Sequence, residues 1–414
     1  MSTAPTVPPS TARQPRIRAR QVSHGTGFWF ATVAFTALTA FGTAPVALWP
    51  LYQARDGFGA TMVTVAYGIV VVGAALSFVT LGHLSDRFGR RPVMVSALLV
   101  AIVAALVLLI WPDLPGLLTG RFLNGVGIGL MSSTAATYLH DLYHREHPDR
   151  PHSSLPGIIV TAANLGGLAL GPLVAGIIAQ WLPSPLLVTQ GLFAAVMAIS
   201  VLLTLHTPET VHRKPRTESA PIRFALRPGG RPVFIAAGGL GFFSFAVFGL
   251  FSSLGATMLH VKLGIDSHFI AGLAPFVMFA AATVGQLALS RLSLRPLLTL
   301  GATVFPLGLA LAAVSLYHPQ LWLYLVAAAL TGAGAGLLFK GGVVQTASVA
   351  EPASRAGVLA MYFVIGYIGM GVPAVIFSII IKHLSINVTM IGFAALLSVG
   401  AALSVMRGLR SSDR

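Results

Sequence analysis

The sequence predicts an all-α integral membrane protein whose twelve transmembrane helices form two six-helix, pseudo-symmetric bundles. Three observations lead there. Of the 414 residues, 55% are hydrophobic and only 9% are charged, against roughly 25% charged in an average soluble domain, so the chain cannot clothe a water-facing surface. A helix needs about 20 mostly apolar residues to cross hydrocarbon, and twelve such runs follow one another. Finally, short stretches of the first half recur in the second.

In order, the spans are expected at 27–51, 61–82, 92–112, 116–140, 155–181, 186–206, 232–258, 268–289, 296–316, 320–347, 356–382 and 387–406. Residues 1–25 hold no apolar run, are rich in Pro, Ser, Thr and Arg, and are expected to be a disordered basic tail rather than a signal peptide. Residues 26–206 make the N-terminal bundle, 207–231 a charged, proline-containing cytoplasmic linker, 232–406 the C-terminal bundle, and 407–414 a cytoplasmic tail. The chain has no Cys, which removes disulfides, thiolate metal sites and thiol catalysis. Its +15 net charge would suit a nucleic-acid binder only on a folded soluble module, which this composition does not supply.

The positive charge has a different use. Lys and Arg are retained on the cytoplasmic side of a membrane. With the amino terminus placed inside, 21 of the 26 basic residues fall in inside segments, and only Arg55, Lys262 and Lys382 fall outside. Both termini are therefore expected in the cytoplasm, with the chain in the plasma (inner) membrane. The remaining two cations, Arg121 and Lys340, lie within spans.

Between spans 2 and 3 stands GHLSDRFGRRP (82–92), and between spans 8 and 9 QLALSRLSLRP (286–296), with Arg, Arg and Pro in register 204 residues on. NGVGIGL in span 4 and GAGAGLL in span 10 are offset by about 207 residues. A duplicated six-helix unit is a recurrent device of secondary transporters.

The segment 82–92 matches G-x-L-x-D-R-x-G-R-R-P at every defining position, and on it the chain resembles the major facilitator superfamily, in particular its twelve-span drug:proton antiporters. Arg121 to Gly127 is similar to the family's span 4 motif, R-x-x-x-G-x-G. Gly167, Gly171, Pro172 and Gly176 in span 5 resemble the motif associated with exporters, with Ala175 in place of one terminal Gly. The resemblance implies a conformational latch made by Gly82, Asp86, Arg87, Gly89, Arg90 and Arg91 together with Asp141. In it Asp86 faces the start of span 11 near Ser354–Gly357, Arg90 meets Asp141, and the two halves are held together on the cytoplasmic side. The corresponding second-half loop has Ser290 where Asp86 stands, so such a latch is one-sided. Physical chemistry adds that Gly89 can adopt positive φ in so short a turn and that Pro92 suits a first helical turn.

All eleven acids map to loops or span ends, and span 1, FWFATVAFTALTAFGTAPVALWPLY, offers no carboxylate. Drug:proton antiporters, which the chain resembles, commonly bury an acid in span 1 or another core helix, so the chain departs from the pattern suited to cationic drugs. A cation inside a span is expensive and is a functional hypothesis by default. Arg121 and Lys340 are therefore candidate counter-charges for a neutral or anionic amphiphile, with Asn124 beside Arg121 in its motif. Each cation also has a plainer role open to it: Arg121 bonded to helix carbonyls, Lys340 snorkelling to the interface. Phe242, Phe245 and Phe248 form an aromatic stripe in span 7, with Phe245 and Phe248 as candidate substrate contacts. Small-residue pairs at four-residue spacing, Gly125/Gly129, Gly167/Gly171 and Gly332/Gly336, fit close helix packing.

The functional expectation is a monomeric secondary transporter that moves a small organic molecule by alternating access, an exporter coupled to H+. An importer of an organic anion driven by protons or sodium stays open. From a different class, His140, His144 and His147 could line one helical face as ligands of a membrane metal enzyme. Asp141, Glu146, Asp149 and Arg150 around them favour a solvated loop. No nucleotide-binding loop is present, and no cofactor, metal or enzymatic activity is expected.

Overall fold

A computed structural model describes residues 21–82, 84–211 and 224–412. The tail to residue 20, His83, the linker centre 212–223 and residues 413–414 lie outside the described residues. Twelve long helical segments follow in the predicted order. Span 1 is His24–Asp56, interrupted by a 3-10 turn at Ala44–Leu48. Spans 2 to 6 are Ala60–Leu81, Arg90–Ile110, Leu114–Glu146, Leu155–Trp181 and Pro185–His206. Spans 7 to 12 are Arg231–Leu263, His268–Ala288, Leu294–Tyr317, Leu321–Val349, Arg355–Ile380 and Ile386–Ser412. Eleven of these are long and apolar enough to cross a membrane. Span 4 is the exception, because Arg121, Asn124 and a charged last turn dilute its apolar run. Among the described residues the only β contact is an isolated bridge between Leu226 and Ala350.

Several boundaries differ from expectation. Span 1 runs past residue 51 because Pro45 and Pro50 interrupt it without ending it: each lacks a backbone donor, and the chain tightens into a 3-10 turn between two α-helical pieces. Span 4 continues to Glu146 and span 12 to Ser412, so part of the expected tail 407–414 is helical. Span 7 begins at Arg231, the last residue assigned to the linker. Helix starts carry side-chain caps, with Ser23, Asp113 and Ser267 accepting the orphan amides of Thr26, Gly116 and Ile270.

Helix pairing repeats with a period of six spans. In the first half, span 4 packs on spans 1, 2 and 3, span 1 on spans 5 and 6, and span 3 on span 6. In the second half, span 10 packs on 7, 8 and 9, span 7 on 11 and 12, and span 9 on 12. The most extensive contacts between the sets are 2 with 11 and 5 with 8, and the same six-span shift exchanges them. The duplicated glycines explain part of this symmetry. A Cβ on Gly125 would stand 2.1 Å from the Val70 carbonyl, and one on Gly332 2.1 Å from the Met278 carbonyl. No side chain fits at either place, and the backbones of spans 2 and 4, and of 8 and 10, meet there.

The structure is sealed across the halves at the end away from the two termini. Thr64 and Ser378 hydroxyls meet at 3.0 Å, and the Trp49 indole donates to the Ser252 carbonyl at 3.1 Å. Gln180 Oε1 accepts from the Ser267 hydroxyl and the Phe269 amide, beside a Trp181–Phe269 ring pair.

Candidate functional site: the central cavity

Beneath that seal lies a cavity of about 190 Å3 lined from spans 1, 2, 4 and 5 on one side and spans 7, 8, 10 and 11 on the other. Six phenylalanines, Phe35, Phe245, Phe248, Phe279, Phe339 and Phe363, and two tyrosines, Tyr67 and Tyr367, make most of its wall. Its polar groups are few: Thr39, Thr43, Ser132, Asn164 and the guanidinium of Arg121. Ala136, exposed toward the end that carries the termini, is its outlying member on span 4.

Local sequence shapes this wall. Pro172 inside span 5 cannot donate to the carbonyl four residues back, and that carbonyl, of Leu168, instead accepts from the Thr43 hydroxyl of span 1 at 2.9 Å. Span 5 also lies close on span 1, where Cβ atoms on Gly167 and Gly171 would each come within 2.0 Å of Thr39 Oγ1 and the Ala40 carbonyl respectively. At Gly176 span 5 meets span 8, where an added Cβ would stand 2.9 Å from the His268 carbonyl. The exporter-type residues therefore sit where span 5 touches both span 1 and the opposite half.

Arg121 is only 1% exposed. Its Nη1 donates to the Gly42 carbonyl at 3.0 Å and its guanidinium lies 5.7 Å from the Trp49 ring centroid. Nε and Nη2 have no hydrogen-bond partner among the described residues, and the ionisable groups acting on it are the hydroxyls of Tyr67 and Tyr52. Asn124, one turn further along, is equally buried and neither of its side-chain polar atoms is partnered. It lies beside the lining rather than in it, 3.7 Å from where a Gly42 Cβ would stand. Phe245 and Phe248 both line the cavity, 6.0 Å apart edge to face.

Lys340 lies apart from this lining. Its Nζ donates to the Gln286 carbonyl at 2.8 Å, near the carboxyl end of span 8, where helix carbonyls attract a cation. A lysine stem is long enough to reach past the cavity wall to that acceptor, which is the snorkelling alternative.

The loop 2–3 residues form a separate cluster at the end carrying the termini. Gly89 has φ 106, the left-handed region that the short turn demands. Arg90 Nη1 is 2.7 Å from Asp86 Oδ1 and also donates to the Ser85 hydroxyl, while Arg90 Nε is 3.8 Å from Asp141 Oδ2. Arg87 lies over the Phe88 ring. Arg90 and Asp141 both belong to the first six spans, so their pairing does not itself join the halves. Asp86 is 68% exposed, and its carboxylate is paired with Arg90 at 2.7 Å.

One acid of this cluster carried no signal in the sequence. Glu209, just after span 6, accepts the Arg90 and Arg91 amides at 2.9 and 3.0 Å, across the amino end of span 3. Its carboxylate is thereby placed on the positive end of a helix dipole. Tyr138 donates to the Pro208 carbonyl, the Thr210 hydroxyl to Asp141, and Arg145 to the Thr210 carbonyl. The start of the linker is thus strapped to spans 3 and 4. A Cβ on Gly89 would stand 2.6 Å from Glu209 Oε2, so the glycine serves both the turn and this carboxylate. Trp49 was likewise hidden, since an apolar span gives no hint which tryptophan lies under an arginine. The histidines are occupied locally: His144 Nδ1 lies against the His140 carbonyl and His147 Nδ1 against that of Tyr143, and no metal-holding group of three occurs among the described residues.

Twelve long helices in two similarly packed sets of six thus surround an aromatic cavity. The family model of the Major Facilitator Superfamily matches residues 28–304, and the chain belongs to that superfamily. It is 28% identical to the inner membrane transport protein YnfM of Escherichia coli (strain K12) over 51% of this chain and 50% of that protein. It is 29% identical to the multidrug transporter MdfA of Edwardsiella piscicida over 59% of this chain and 60% of that one. The chain thus spans about half the length of these relatives. Among solved structures, the nucleoside transporter NupG superposes with a TM-score of 0.69 at 15% identity, covering 92% of this chain and 99% of that one. The human organic anion transporter MFSD10 superposes with a TM-score of 0.65 at 15% identity, covering 93% and 100%. At these identities the structures show the fold alone.

Proposed function

We propose that this chain is a monomeric secondary transporter of the plasma membrane, with both termini cytoplasmic, that exports a small neutral or anionic amphiphile in exchange for H+. The observation that carries the reading is the cavity itself: an aromatic wall drawn from both halves, a single buried arginine with unpartnered donors, and no carboxylate in the lining. Such a site accepts apolar bodies and disfavours cations, since Arg121 repels them. In this reading the structure is the inward-facing state, because the seal lies at the end away from the termini. Opening that end while closing the other, by rocking one half against the other about the 2–11 and 5–8 contacts, is alternating access. When the cytoplasmic end closes, Asp86 reaches the start of span 11 as the latch, while Asp141 and Glu209 hold the loop 2–3 turn in place. The resemblance to MdfA and the Gly-Pro bend of span 5 support export over import.

Everted membrane vesicles test this. With an acid lumen, they are expected to take up neutral and anionic aromatic amphiphiles, and an uncoupler should abolish the uptake. Accumulation by right-side-out vesicles instead would reverse the direction. Uptake of cationic dyes that survives Arg121→Ala would refute the proposed charge preference.

A further inference from the structure

Arg121 presents an edge, not merely a charge. In a planar guanidinium, Nε–H and one Nη2–H point the same way along one side, and two oxygens of one acid group can accept both. These are the two nitrogens of Arg121 that lack a partner, while Nη1, on the other side, is held by the Gly42 carbonyl. The chain shows the same edge in use. In Arg55, Nε and Nη2 donate to the two oxygens of Asp56 at 2.6 and 2.8 Å. At Arg121 no protein acid plays that part, since no Asp or Glu lines the cavity. Leaving a buried charged donor unpaired costs several kcal/mol in general, and a fold keeps such a group where a partner arrives from outside.

We propose that the Arg121 edge is the head-group subsite for a monocarboxylate whose body is aromatic. This deepens the transport reading above and rests on it. One buried cation matches one negative charge; a dianionic phosphate ester would carry a second, uncompensated charge into the site. Asn124, with both polar atoms unpartnered one turn away, supplies a neutral donor on the same helix toward the same stretch of span 1. The body of the ligand lies along Phe245, Phe248 and Phe279, whose rings adjoin in turn, edge to face and then tilted, with centroid separations of 6.0 and 5.0 Å. Trp49 behind the guanidinium fixes the plane of the fork, so the head group is recognised by direction as well as sign.

The test uses the full chain in nanodiscs with 2-naphthoate, 2-naphthamide, 2-naphthylmethylamine and 2-naphthyl phosphate as probes, read by calorimetry. A charge-assisted pair of hydrogen bonds predicts that the acid binds at least about tenfold more tightly than the amide, with the amine and the phosphate weaker than the acid. The asymmetric carboxylate stretch of 13C-labelled naphthoate should shift on binding. Arg121→Lys, which keeps the charge but not the fork, should remove most of the preference and the shift together. If acid and amide bind alike, or if the Lys variant keeps both the preference and the infrared shift, the carboxylate assignment fails while the transporter reading stands. If no naphthyl probe binds and none is taken up by vesicles, both fail.

Discussion

The two halves of this molecule share their packing and differ in their polar chemistry. Each helix pair of the first half has a counterpart six spans later, and Gly125 and Gly332 make equivalent backbone contacts. Yet the first half holds the buried arginine with two unpartnered donors and the Asp86, Arg90, Asp141 and Glu209 cluster. The second half has Ser290 in place of Asp86 and ties its one intramembrane cation to a carbonyl. Duplication preserved what the bilayer requires of any helix bundle, namely close backbones and satisfied amides. The polar groups are free to differ, because close packing of the helices does not depend on them.

This contrast can be tested on both sides. The largest effect is expected for Gly125→Leu and Gly332→Leu, each forcing atoms into a neighbouring backbone. Both should lower stability by about 3 kcal/mol or more, measured as loss of monodisperse protein on size exclusion and of the thermal transition. A severe effect in one half alone would mean that the packing is less symmetric than its geometry. Next, Arg121→Met should abolish uptake of anionic amphiphiles while leaving the fold intact or raising the thermal midpoint, since removing an unpaired buried charge relieves about 1 kcal/mol or more. A drop in stability with transport retained would make Arg121 a structural residue.

Glu209→Ala removes a carboxylate from the amino end of span 3 and should cost about 1 kcal/mol, visible in thermal unfolding, with faster hydrogen exchange at the Arg90 and Arg91 amides. The smallest change is expected at Lys340→Met. Its single bond to a carbonyl predicts a shift within about 1 kcal/mol and transport much closer to the unmodified protein than Arg121→Met allows. Equal transport losses at both cations would place Lys340 in the substrate path after all.

How much of this was legible in advance varies by residue. The Asp86 to Pro92 loop, the Gly89 turn and the small-residue pairs follow from local rules of spacing and backbone freedom. Arg121 was legible as a costly cation, but not its Trp49 backing or its free edge, which depend on how span 1 breaks at Pro45 and Pro50. Lys340 looked equivalent to Arg121 because both lie within apolar runs. Its stem flexes, however, and a linear pattern does not show that the Gln286 carbonyl lies within reach. Glu209 gave no signal because its partners, the Arg90 and Arg91 amides, are about 120 residues away in sequence.

By itself the sequence determined the number of spans, their order, the repeat and the side on which positive charge collects. Each of these is set residue by residue through transfer between water and hydrocarbon. Only the tertiary structure decided which polar groups find partners. That is a property of distance between helices, and it separates a lysine tied to a carbonyl from an arginine whose bonding edge faces the cavity.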